Sequence, residues 1–448
     1  MKIQDRVHSL KQKVNMTADY PLATMLLALL LIFLSPFVSR YLCYGALLIC
    51  LCRVILYSQR VFVADLVLLM PLYQLFSGID GMSLLVYLDL FAALWYLIRG
   101  SVRRNSSVVW FLLLMLYMIA RMQLAVANFL LSFGQIFLLF VLLPPQDDAS
   151  AIRATRFFCV GLVLSSLYAL VFRNSSAIIA IIGHEATAIW GTRIMRFRGL
   201  IRDPNYYMTM LLVALGLLLK LRNERLLSLG AFWLLAVPTA VFGILTYSKT
   251  FLLVAVMLTG IYILWQFGSR KLIWACSLTL LAVAGLTVLI LWDRSPLAVV
   301  LTRLNSAGSL NDLSTGRFGV YADYLEIVFH DVGSFLFGQG IAAEGLVNDP
   351  HNLYIELLYY TGAFGLIFYV GFYAAMIYNL LKNVPPIPRG GLLGRYMVLT
   401  VVLALYLTLH GMFQPITMGS FLLALLSMRI TPRPRLTAAP IPMEGKAL

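Results

Sequence analysis

Apolar runs long enough to cross a bilayer recur along almost the whole chain, and this pattern limits the possible folds more than any other feature. They fall at residues 20–38, 41–58, 61–78, 82–98, 107–120, 123–143, 157–172, 206–220, 226–246, 251–267, 272–292, 363–381, 396–412 and 416–428. Buried in lipid, backbone amides must be satisfied within the segment, so such runs fold as helices. The expected fold is therefore all-α: a polytopic membrane protein of about fourteen (12–14) transmembrane helices. Charged residues make up only 12% of the 448 positions, about half the share of soluble domains.

The net charge of +15 does not indicate nucleic acid, because the basic residues sit in alternate connections. With the N-terminus (1–19) in the cytoplasm, each inner connection is basic: Arg60, then Arg99, Arg103 and Arg104, then Arg153 and Arg156, then Lys220, Arg222 and Arg225, then Arg270 and Lys271, then Lys382, Arg389 and Arg395. This is the positive-inside bias, and such charges also contact anionic lipid headgroups. Cys43, Cys50, Cys52, Cys159 and Cys276 all lie in apolar runs, with neither disulfide nor metal spacing. The intramembrane Arg53, Asp65, Asp89 and Arg121 suggest ion pairing between helices, Arg53 with Asp65 or Asp89.

The runs divide the chain into N-terminal helices (20–172), an Arg-rich outer loop (173–205), central helices (206–292), a large outer loop (293–362), C-terminal helices (363–430) and a disordered tail (431–448). The two outer loops break the inside bias. Four arginines crowd one of them: Arg193, Arg196, Arg198 and Arg202. Asp203 and Pro204 follow as a helix N-cap and first helical residue, placing Asn205 at the head of the next span. Guanidiniums beside a helix N-terminus suit phosphate or diphosphate, although the same residues could serve headgroups or solubility. Lys249, in Tyr247-Ser248-Lys249-Thr250, is a second outward cation; it either binds a partner or snorkels.

The large loop carries Ser314-Thr315-Gly316-Arg317 ahead of an amphipathic helix expected over 318–331, capped by Ser314 or Thr315. Arg317 in its first turn opposes the helix dipole unless an anion lies between them. His330, at the far end, complements the dipole and reads as structural. Phe337-Gly338-Gln339-Gly340 and Asp349-Pro350-His351-Asn352 follow. From Asn352 to Leu380 the apolar stretch is too long for one untilted span, so Gly362 and Gly365 are expected to break it and leave 352–361 as a short outer or re-entrant helix. His351 would stand at its N-terminus, where the dipole favours the neutral imidazole that a general base requires.

In order, Arg198-Gly199, Asp203-Pro204-Asn205, Tyr247-Ser248-Lys249-Thr250, Ser314-Thr315-Gly316-Arg317, Phe337-Gly338-Gln339-Gly340 and His351-Asn352-Leu353-Tyr354 with Gly362 resemble the O-antigen ligase/polymerase family. The resemblance covers about 197–380; the N-terminal third is similar only in being serial spans. It implies a GT-C-like membrane enzyme of the bacterial inner membrane, with a periplasmic active site and cytoplasmic termini. It implies His351 as base, Arg317 as an anion ligand, and diphosphate binding by Lys249, Arg196, Arg198 and Arg202. Asn205, Asn352, Tyr354 and Gly362 would support them. Lys249 stands where the family usually has arginine, and so lacks the bidentate fork.

The implied reaction passes an undecaprenyl-diphosphate-linked oligosaccharide donor to a sugar hydroxyl on an acceptor, with inversion. It serves polymerisation of O-antigen, capsule or exopolysaccharide, or alternatively ligation to lipid A-core. A lipid-linked oligosaccharide flippase is the alternative of another class, disfavoured by the lack of internal repeats. No cofactor is expected. The outer loops hold no acidic triplet with metal spacing, which predicts metal independence. A chain-length regulator is a partner suggested by the resemblance alone; nucleic acid is not expected.

Overall fold

The computed structural model describes residues 21–79, 81–100, 106–121, 148–183, 187–189, 192–194, 196–266, 308–309, 316–340, 350–382, 391–409 and 415–430. The spans expected at 123–143 and 272–292, the tail, Ser314 and Thr315 lie outside these residues.

The described chain is a bundle of helices. In order they are α1 (Leu22–Leu34), α2 (Tyr41–Leu56), α3 (Gln59–Leu69, continued by a 3-10 turn over Met70–Leu72), α4 (Leu84–Ile98), α5 (Ser106–Arg121), α6 (Asp148–Phe172), α7 (Ser176–Ile182), α8 (Pro204–Asn223), α9 (Leu229–Leu245), α10 (Lys249–Gln266), α11 (Arg317–Phe329), α12 (Val332–Phe337), α13 (Leu353–Lys382), α14 (Leu392–Leu405) and α15 (Pro415–Arg429). The chain is mostly helical, as expected, with one small hairpin in a loop. Thr187–Ile189 (β1) and Thr192–Ile194 (β2) pair antiparallel as a small hairpin in the Arg-rich loop. The run of Thr and Ile there suits a pleated pair more than a helix.

Among the described residues, four helices are long and apolar enough to cross a membrane: α6, α8, α10 and α13. Seven shorter apolar helices accompany them. The exterior is oily in the manner of a lipid-facing surface. On α1, Leu22, Leu26 and Leu30 are exposed while Met25, Ala28 and Ile32 are buried. Such a stripe would be a liability in water and is the expected outer face in a bilayer. The most enclosed span is α8, with 83% of its apolar window buried; it packs on α6, α9, α10, α14 and α15. Gly161 lets α6 approach α3, since a Cβ there would lie 2.8 Å from the Leu68 carbonyl oxygen.

Cross-chain hydrogen bonds collect at two opposite ends of the bundle. At one end Arg99 donates to the Ile55 carbonyl (3.3 Å), Ser106 pairs with Asn379, Arg156 donates to the Leu226 carbonyl, and Gln266 donates to Asn223 (3.1 Å). At the other, Arg40 donates to the Leu75 carbonyl (3.2 Å), Tyr168 to Phe33 (2.7 Å) and Arg196 to Thr246 (2.8 Å). The second end carries the Arg-rich segment that precedes α8.

Arg53 is paired within the bundle. Its Nε and Nη2 each lie 2.8 Å from the Asp65 carboxylate, a buried bidentate bridge between α2 and α3. Its Nη1 also reaches the Pro21 carbonyl at 2.6 Å. The bridge neutralises both charges where neither could be left alone.

Candidate functional site

The Arg-rich segment is stitched to the turn that launches α10. The Phe197 amide donates to the Leu245 carbonyl (2.9 Å), and Arg196 Nε donates to Thr246. Thr246 ends α9 and Lys249 begins α10. Ser248 caps that helix, its Oγ accepting from the Phe251 amide at 3.3 Å. Arg196 and Lys249, distant in sequence, therefore come to one place.

The other arginines separate by environment. Arg198 is buried. Its Nη1 donates to the Arg202 carbonyl at 2.8 Å and its Nη2 to the Gly183 carbonyl. It thus bridges the end of α7 to the loop before α8. Arg202 is exposed, with Nε donating to the Ile181 carbonyl at 3.4 Å. Arg193 lies in β2. The cap expected at Asp203 is present: its Oδ1 accepts from the Asn205 amide at 2.7 Å, and Pro204 is the first helical residue. Phe197 anchors the loop between Tyr207 and Phe242, with ring centroids 5.6 and 5.1 Å away.

The second group is built on α11 and α13. Arg317 is the first residue of α11, and Gly316 precedes it with φ 81°; Ser314 and Thr315, the expected caps, lie outside the described residues. The helix runs over Arg317–Phe329 and His330 is its C-cap, followed by the separate short α12. Arg317, Tyr321, Tyr324 and Val328 share one helix face by their spacing. That face meets α13: the Tyr324 ring packs edge-on to Tyr359 at 4.7 Å, and Tyr324 and Val328 are fully buried. Toward its start, Tyr321 donates to the Leu407 carbonyl at 3.3 Å. Arg317 therefore lies one turn beyond Tyr321, at the end of α13 from which His351 projects.

His351 has φ 45°, a left-handed conformation that side chains other than glycine seldom adopt. Such strain at a polar residue is characteristic of functional positions. Asn352 follows as the N-cap of α13, its Oδ1 accepting from the Tyr354 and Ile355 amides at 3.0 and 3.3 Å. The start of α13 is pinned to the end of α14: the Leu353 amide donates to the Tyr406 carbonyl (2.9 Å), and the Tyr354 hydroxyl to Leu403 (3.1 Å).

The break expected in α13 is at Gly362, whose φ of 66° and ψ of −171° leave the helix; Gly365 stays helical. A break orphans carbonyls on the preceding turn. Here they are taken up by the Phe337–Gly340 segment and α5. The Gln339 amide donates to Tyr359 (2.8 Å), the Gly340 amide to Tyr360 (3.0 Å) and the Tyr117 hydroxyl to Thr361 (2.6 Å). Arg121, read from sequence as an intramembrane cation, donates to the Gly338 carbonyl at 2.7 Å. Its place at the end of α5 could be read from sequence; its partner could not.

The shared neighbour of the two groups is α14, which packs against α8 and α10 along its length and touches α11 and α13 at its far end. The end of the bundle thus presents the exposed Arg202 and the partly exposed Arg196, Lys249, Arg317 and His351. Cations at the first position of α10 and of α11 add to the partial positive charge of those helix ends, which favours a doubly charged oxyanion.

Comparison with known proteins finds no match: no family model fits the chain, and no curated protein or solved structure matches it.

Proposed function

We propose that this chain is a membrane glycosyltransferase that joins polyprenyl-diphosphate-linked oligosaccharide repeat units, an enzyme of the O-antigen polymerase type. The observation that carries the reading is the placement of His351. It stands in a strained turn ahead of a capped half-helix, at the end of α13 that lies toward the start of α11. Conformational strain held by a rigid frame suits a residue that must present one ring nitrogen to a substrate.

In this mechanism the acceptor hydroxyl attacks the anomeric carbon of the donor from the face opposite the diphosphate. The C–O bond to the diphosphate breaks, and the configuration inverts. His351 takes the hydroxyl proton, a contribution of about 10²–10⁴ in rate. Arg317, Lys249, Arg196 and Arg202 neutralise the departing diphosphate, and preorganised charge of this kind is usually the largest catalytic contribution. Arg198 shapes the loop that carries them, since its guanidinium is engaged with backbone carbonyls. With the basic connections in the cytoplasm, this end of about fourteen spans faces the periplasm of a bacterial inner membrane.

The test is turnover by the purified protein in liposomes with a synthetic undecaprenyl-diphosphate-linked repeat. A ladder of longer lipid-linked chains is expected from the wild type and none from His351→Ala. Transfer that appears only when lipid A-core is added would replace polymerase by ligase. Movement of the lipid-linked repeat between leaflets without new glycosidic bonds would overturn the enzyme reading altogether.

A further inference from the structure

The circumference of α11 divides into three strips. One strip, with Tyr324 and Val328, is buried on α13. A second carries Asp323, Glu326 and His330, which with Asp331, Ser334 and Gln339 line an open groove of about 510 Å³. The third strip is apolar, with its phenylalanines exposed. Phe318, Leu325 and Phe329 recur on one face of the helix, and Phe318 and Phe329 are 52% and 61% exposed. The strip continues onto α12, where Val332 is 73% exposed and Phe335 stacks on Phe329 at 5.5 Å.

We propose that the α11–α12 corner lies in the boundary layer of the membrane, with Phe318, Phe329, Val332 and Phe335 immersed in the outer leaflet. The partner is the lipid bilayer itself. The apolar strip runs without interruption into the lipid-facing surface of α13: the Phe337 ring lies 5.5 Å from Phe364, and Phe364, Ile367 and Val370 are exposed along the span. The polar strip is held apart from it, as in an amphipathic element lying flat at an interface. The mode of attachment follows from charge. Between Phe318 and Gly340 there is no lysine or arginine, while Asp323, Glu326 and Asp331 are acidic. Arg317 stands just ahead of this stretch, but the immersed segment itself offers anionic headgroups no lysine or arginine, so apolar burial dominates its binding and headgroup charge and salt change it little. Immersion would set the depth of the α13 break, and with it the height of His351 above the acyl chains.

Full-length protein with Cys52→Ser and Cys276→Ser is labelled with an environment-sensitive thiol fluorophore at Val332→Cys, Phe329→Cys or Glu326→Cys. Each variant is reconstituted in phosphatidylcholine vesicles. Labels at 332 and 329 should emit to the blue and be quenched at least about twofold by nitroxide carried on lipid acyl chains, with the same result when phosphatidylglycerol is added. The label at 326 should emit as in water and be quenched only by soluble iodide. Water-like emission at both 329 and 332 would overturn the proposal, as would shielding from both quenchers, which marks a protein partner or a second copy. Val332 contributes little to packing, so its variant guards against a folding defect in Phe329→Cys. Because the readout is not activity, this test can fail while the glycosyltransferase reading stands, and the reverse.

Discussion

Gly338 and Gly362 meet backbone to backbone: a Cβ built on either would lie 2.5 Å from the amide nitrogen of the other. Each also has a positive φ, 71° and 66°. One contact thus fixes the turn after α12 to the break in α13. It also aligns the Gln339 and Gly340 amides with the carbonyls that the break releases.

Alanine at either glycine should therefore separate the two segments. Both glycines combine positive φ with ψ near 180°, a region essentially reserved for glycine that costs about 1–3 kcal/mol at a residue with a Cβ, and the steric overlap adds to this. We expect Gly338→Ala and Gly362→Ala each to lower the midpoint of thermal unfolding in detergent by several degrees and to open the 331–340 segment to protease. The double variant should cost less than the sum, because the contact is lost once. Strict additivity would show that the glycines act independently.

His351 joins a chemical role to a conformational one, and substitutions can separate them. Asparagine tolerates the left-handed region better than other non-glycine residues, and alanine does not. His351→Asn should relieve this strain and raise thermal stability by up to about 1 kcal/mol, while His351→Ala, which keeps a Cβ on the same left-handed backbone, should leave it nearly unchanged. Both should lose polymerisation by about 10²-fold or more. Retention of activity in His351→Asn would remove the imidazole from the mechanism.

The helical, membrane-type character was readable from residue patterns because each described span carries its own signal, a long apolar run. Local caps were readable for a similar reason. Asp203-Pro204 encodes a helix start within adjacent residues, and the Gly362 break follows from a span too long for a membrane. What failed were features set by distant contacts. Nothing near Arg198 announces that its guanidinium will cross to the Gly183 carbonyl. The hairpin within the Arg-rich loop is only a few residues per strand, too short for alternation to declare itself.

Asp331 gives a pH prediction. Its carboxylate accepts from the Ser334 hydroxyl at 2.6 Å and the Ser334 amide at 2.8 Å. These bonds hold its pKa below the usual carboxylate value, the hydroxyl contributing most. A lowered folded-state pKa stabilises α12 fully above the unfolded value of about 3.9 and loses that contribution as pH falls through the folded value. Protease susceptibility of the 331–340 segment should thus be flat in this respect from neutral pH to about 4 and rise only in stronger acid. Asp331→Asn keeps a capping oxygen and should abolish the acid-dependent step. A step that persists in this variant would assign it to another group.

Arg198 and Arg202 make opposite predictions although the sequence presents them as one cluster. Arg198 is buried and donates to two backbone carbonyls; removing it strands acceptors in a loop that also positions Arg196 against Thr246. A buried acceptor left without its donor costs about 1–3 kcal/mol. Arg198→Ala should therefore lower thermal stability measurably, and Arg198→Lys should rescue it only in part, since an ammonium lacks the planar fork that spans both carbonyls. Arg202 is exposed, and a surface substitution of this kind usually stays within about 0.5 kcal/mol. Arg202→Ala should leave the melting curve unchanged and raise the concentration of lipid-diphosphate donor needed for half-maximal turnover. If Arg202→Ala instead melts early while donor dependence is unaltered, the exposed arginine is structural and the diphosphate site must be drawn from Lys249, Arg196 and Arg317 alone.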